Sequence, residues 1–187
     1  ISGVSYFNYA TGDADAGEAH GFSMNRVYLT YKSEVSENVK FKFQTDVVNQ
    51  DGDGLQLYLK NANMEYAATE NFTFVYGLQT MNMFGDQEVN WGNRYLAKTS
   101  MDENKWGPSA DLGLGVLANF GGITASVLFT NGEGYKNATA DGNERISASA
   151  GYYGNIGEDM SYNLGGVLSM LNYTAEDDTD MTAQVMG

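Results

Sequence analysis

The segment Val39-Lys-Phe-Lys-Phe-Gln-Thr-Asp-Val47 alternates apolar and polar residues. Val39, Phe41, Phe43 and Val47 share one parity, with Thr45 its only polar member. Lys40, Lys42, Gln44 and Asp46 share the other. Side chains of a strand switch faces at every residue, so this segment has one apolar wall and one wet wall. The same beat recurs along the chain. It predicts ten strands near 1–9, 22–32, 39–48, 55–66, 72–79, 109–120, 123–131, 145–154, 160–173 and 181–187. Several wet faces carry Gly and Ser, which leave space on that side.

The fourth segment breaks parity. Leu55, Leu57 and Leu59 lie on one phase; Ala62, Met64 and Tyr66 lie on the other. A β-bulge near Lys60 reconciles them, because one extra residue shifts the register by one.

The links have their own rhythm. Stretches 10–21, 49–54, 80–108, 132–144 and 174–180 are longer, acidic and rich in Gly and Asn. Stretches 33–38, 67–71, 121–122 and 155–159 are tighter turns. Long and short alternate throughout. A soluble Greek-key sandwich has no reason to keep that order. An up-and-down barrel in an outer membrane does, with short turns on the periplasmic side and long loops outside. The expectation is one all-β domain over 1–187, an antiparallel up-and-down transmembrane β-barrel. A secreted soluble sandwich is the competitor. Aromatic residues weighted toward strand ends, among them Tyr9, Tyr31, Phe72, Phe120 and Tyr152, suit the girdles at membrane interfaces.

Composition narrows the function. Mean hydropathy is −0.37, ordinary for a soluble protein. A barrel strand shows lipid only every second residue, so this does not oppose the barrel. The net charge of −14 argues against nucleic-acid binding. Sixteen of the 24 acids fall in the long links, which suits solvated outer loops and contact with lipopolysaccharide through divalent ions. There is no Cys, hence no disulfide framework and no thiolate metal site. No leader segment is evident.

Little suits an enzyme. His20 is the single histidine and stands in an acidic loop with no positioned nucleophile. No G-x-S-x-G element occurs. Asp51-Gly-Asp53-Gly54 lacks the distal Glu of a calcium loop. Asn71, Asn137 and Asn172 open glycosylation-like triplets that carry no weight in a bacterial envelope. No enzyme activity, cofactor or metal is expected.

Transport chemistry has candidates. Arg26, Lys32, Lys40 and Lys42 share the wet faces of two adjacent strands, where lining cations would favour anions. Asp46 and Glu65 dilute them, and a charge ladder that braces the wall is the other reading. Loop 80–108 is far too long for a turn. It carries Trp91, Arg94, Tyr95, Lys98 and Trp106. The expectation is a loop folded into the lumen that narrows it, with Arg94 and Lys98 facing the passage. A surface cap or a trimer contact competes with this.

The order of several segments resembles the phosphate-selective porin O and P family. They are Phe22-Ser-Met-Asn-Arg-Val-Tyr-Leu29, Leu59-Lys-Asn-Ala-Asn-Met-Glu-Tyr66, Tyr76-Gly-Leu-Gln79, Trp91-Gly-Asn-Arg-Tyr-Leu-Ala-Lys98, Ser109-Ala-Asp-Leu-Gly113 and Asn131-Gly-Glu-Gly-Tyr135. The resemblance implies a Gram-negative outer-membrane porin with about 16–18 strands, usually a homotrimer. Ten strands and no terminal aromatic then suggest part of a larger barrel, with a complete ten-stranded barrel as the alternative. The functional expectation is passive diffusion of small hydrophilic solutes or anions, with a non-channel barrel serving as adhesin, receptor or structural partner as the alternative.

Overall fold

A computed structural model describes residues 1–13, 15, 17–50, 54–137, 142–174 and 180–186. Ten strands occur among them: β1 (Ser2–Thr11), β2 (His20–Ser36), β3 (Val39–Gln50), β4 (Gly54–Ala67), β5 (Phe72–Thr80), β6 (Ala110–Phe120), β7 (Ile123–Thr130), β8 (Arg145–Ile156), β9 (Met160–Thr174) and β10 (Asp180–Met186). They form one sheet in sequence order, and every neighbouring pair is antiparallel. This up-and-down order puts all long links on one rim and all tight turns on the other. The sheet is open, with β1 and β10 as its edges. No described helix is long and apolar enough to cross a membrane, which says nothing of strands.

The turn between β6 and β7 has a local cause. Phe120 pairs with Ile123 across Gly121-Gly122. Gly121 has φ 72°, the backbone that a two-residue hairpin demands of its first turn residue. The parity break in β4 is a bulge at Lys60. Gln44 pairs with Asn61 and Thr45 with Leu59, so Lys60 has no opposite number. Similar irregularities skip Asn25 in β2 against β1 and Val35 in β2 against β3.

The burial pattern is the reverse of a soluble fold. On the apolar parity, Leu57, Tyr76 and Leu164 are about two-thirds exposed, and Leu29, Phe74, Leu114, Val127, Phe129 and Ile146 are exposed too. On the polar parity, Asp46, Asn61, Asp111, Ser147 and Ser169 are fully buried. The segment between β5 and β6 covers part of this face. It contains two short helices, α1 (Gly85–Trp91) and α2 (Ser100–Glu103), that the alternating pattern does not foresee. Gly92, at φ 63°, ends α1 by donating its N–H to the Glu88 carbonyl.

The small residues of the polar face are not all open space, as the sequence suggested. A Cβ on Gly115 would lie 2.3 Å from Leu128 Cδ2, so that glycine accommodates an apolar side chain. Leu128, Val75 and Val48 are buried apolar residues on this face.

Candidate functional site

The site is the polar face of β2–β9 with the segment 81–109 folded onto it. Its wall is built by register. Tyr28 pairs with Asp46, Thr30 with Gln44, Lys32 with Lys42 and Glu34 with Lys40. Arg26, Lys32, Lys40 and Lys42 therefore do share one face, but their electrostatic states differ. Arg26 Nε lies 3.5 Å from Asp46 Oδ1. Its Nη1 donates to the Tyr28 hydroxyl at 2.6 Å. Lys40 meets Glu34 at 3.5 Å, both well exposed, where an ion pair contributes little. Lys32 and Lys42 have no ion pair among the described residues.

A relay of hydrogen bonds crosses four strands. Lys42 Nζ donates to Thr80 Oγ1 at 3.3 Å, and Thr80 donates to Asn61 Oδ1 at 2.9 Å. Asn61 Nδ2 donates to Gln44 Oε1 at 2.8 Å, and Gln44 Nε2 to Thr30 Oγ1 at 2.7 Å. The bulge at Lys60 makes this possible, because it turns both Lys60 and Asn61 to the polar side. Lys60 Nζ donates to the Tyr28 hydroxyl at 2.9 Å and stands 4.6 Å from the centroid of that ring. Lys60 is a wall cation that sequence reasoning read only as a bulge. The signal was available, since a bulged residue between two opposed parities can face either way.

The segment 81–109 reaches far across the face. Asn82 Nδ2 donates to Ser126 Oγ on β7 at 2.8 Å, and Ser126 shares a hydrogen bond of 2.8 Å with Ser149 on β8. Met83, Phe84 and Met101 form a buried cluster against Val167 on β9. Asp86 accepts a hydrogen bond from Tyr153 on β8. Buried methionines and Phe84, not tryptophans, attach the segment. Trp91, Tyr95 and Trp106 are about half exposed, Trp91 donating its indole N–H to the Ala97 carbonyl at 3.0 Å. The run Met81-Asn-Met-Phe84 was the missed signal.

Arg94 and Lys98 line a cavity of about 560 Å3 together with Arg26, Tyr6 and Glu103. Arg94 is not a free cation, being paired with Asp102 at 3.2 Å and Glu88 at 3.8 Å. Lys98 has no ion pair among the described residues. A second cavity of about 480 Å3 lies beyond Asn82 and Asp86. Its lining includes Thr73, Asn119, Thr124 and Ser126, and it holds no cation.

A second loop closes over the wall. Asp111 accepts N–H groups of Gly132 at 2.6 Å and Gly134 at 3.2 Å, which aims Tyr135 inward. The Tyr135 hydroxyl donates to Asp46 Oδ2 at 2.6 Å, 89 residues away in sequence. Burial, then that bond to a carboxylate, raises the Tyr135 phenol above its usual pKa, so it remains a donor. Tyr135 N–H is bound to Ala110 on β6, while Asp46 stands on β3. Three strand spacings of a flat sheet are about 14 Å, beyond the reach of one side chain, so the sheet curls toward its polar face.

His20 is exposed, its Nδ1 2.9 Å from the Gly12 carbonyl oxygen. No cluster of metal-ligating side chains occurs among the described residues. Asp51 and Asp53 of the calcium-like stretch, and Thr139 of one glycosylation-like triplet, lie outside the described residues. No protein-family model matches the chain, and no curated protein matches it. The resemblance to phosphate-selective porins therefore rests on its short motifs alone.

Proposed function

We propose that this chain forms wall and constriction of a bacterial outer-membrane diffusion channel for small hydrophilic solutes. The observation that carries the reading is the inverted sheet. Its apolar face is bare, whereas its polar face is curled and crossed by the one long segment. An apolar face of that extent is unstable in water and suits lipid. Strands of nine or more residues, as most here are, are long enough to span a bilayer when tilted.

In this reading the ten strands belong to a larger closed barrel in contact with lipid and lipopolysaccharide, as a homotrimer. The solute passes by size and charge, with no turnover and no cofactor. Arg26 and Lys40 are offset by Asp46 and Glu34, so any anion preference rests on Lys32, Lys42, Lys60 and Lys98. Phosphate is a poor choice of solute, because the acidic outer loops repel a dianion approaching from outside.

Planar-bilayer recording of the full-length protein tests this. The expected result is stepwise ion current with a reversal potential showing weak anion preference in a KCl gradient. Replacing Lys32, Lys42 and Lys60 together with Gln should move that potential toward cations. Folded protein that carries no current contradicts the channel and favours an adhesin or receptor barrel. Current with wild-type cation preference contradicts the role given to the lysines.

A further inference from the structure

The segment that crosses the polar face is keyed into the far wall at one point. Gly151 on β8 and Gly165 on β9 are register partners on that face. Together they leave a notch without side chains, and Asp86 of α1 fills it. A Cβ on Gly165 would lie 2.3 Å from Asp86 Oδ2 and 3.0 Å from its Cγ. A Cβ on Gly151 would lie 3.2 Å from the same oxygen. Neither glycine has a positive φ, so backbone conformation does not demand them. Their role is space. Tyr153, on the same face of β8, donates its hydroxyl to Asp86 Oδ1.

We propose that Asp86, seated in the Gly151–Gly165 notch, is the positioning residue that latches segment 81–109 across the lumen and so sets the pore's aperture. This rests on the channel reading and deepens it. Of the other anchors, Met83, Phe84 and Met101 make apolar, non-directional contacts with Val167, and Asn82 makes a neutral hydrogen bond to Ser126. A phenol bonded to a carboxylate is directional and stronger than a neutral pair. Asp86 also stands in the first turn of α1, so its seat fixes that helix. On Gly165 the three atoms nearest a new Cβ all belong to Asp86. The Gly165→Ala methyl therefore has little to displace except the latch.

The test uses full-length Gly165→Ala, Asp86→Ala and the double variant, each checked for folding by heat-modifiable gel mobility. One readout is the rate of tryptic cleavage at Arg94, Lys98 and Lys105 in the folded protein. The other is single-channel current. Each single variant should speed cleavage about tenfold, the scale of losing a hydrogen bond to a charged group. Each should also give a larger and noisier current. The double variant should match Asp86→Ala alone, because the added methyl then meets no carboxylate. Wild-type cleavage and current in Gly165→Ala overturn the latch, as do additive effects in the double variant. Should either variant fail to fold, Tyr153→Phe removes one hydroxyl only. It should still speed cleavage severalfold, and an unchanged rate overturns the latch. A wild-type protein without current would defeat the channel reading, while the cleavage rates would still decide the latch.

Discussion

Arginine at Leu114 or Val127 is expected to cost about 2–4 kcal/mol of folded stability in phospholipid vesicles, the penalty for a cation on the lipid face near the bilayer midplane. Both side chains are about half exposed on the apolar face, near the middle of β6 and β7. Denaturant titration in vesicles measures the effect. Were that face in water, such exposed substitutions would stay within about 0.5 kcal/mol. Thr73→Arg, on the opposite face of the neighbouring β5, serves as the comparison. It lines the cavity of about 480 Å3 and should cost far less. Equal effects on the two faces would contradict the assignment of lipid to one and water to the other.

The second large effect concerns the crossing segment. Deleting residues 84–104 removes Phe84, Asp86 and Met101 from their seats on the far wall, together with both short helices. Single-channel conductance should rise severalfold, because the chain that fills the lumen is gone while the wall strands are untouched. Unchanged conductance would make the segment a surface cap or a subunit contact.

Period-two alternation made the wall legible. Nothing else in this chain places Phe41, Phe43 and Val47 on one side and Lys42, Gln44 and Asp46 on the other. The bulge at Lys60 was legible for the same reason, since two runs of opposite parity must meet at an extra residue. The up-and-down order followed from link lengths. Closure of the sheet did not follow, and β1 and β10 remain its edges.

The site was legible only where it lies on strands. Arg26, Lys32, Lys40 and Lys42 fall on one face by parity, but which of them is neutralised depends on partners across the sheet. Asp46 reaches Tyr135 across 89 residues, a contact that no local pattern encodes. Segment 81–109 has no period, so α1 and α2 went unread. The tryptophans drew attention as bulky loop residues, yet Met83, Phe84 and Met101 carry the burial. Nothing in the sequence singles out Gly165. Its meaning depends on Asp86, which approaches from a different part of the chain.

The chain contains no cysteine, so each introduced thiol reports alone. Single cysteines at Ile123, Thr124, Ala125, Ser126 and Val127 on β7, and at Phe41, Lys42, Phe43 and Gln44 on β3, sample both faces. Labelling of the protein in vesicles with a water-soluble thiol reagent should follow the beat of the sequence. Positions 124, 126, 42 and 44 should react, and positions 123, 125, 127, 41 and 43 should be shielded by lipid. Reaction at the apolar positions with protection at the polar ones would place water on the wrong side of the sheet and contradict the membrane-channel reading.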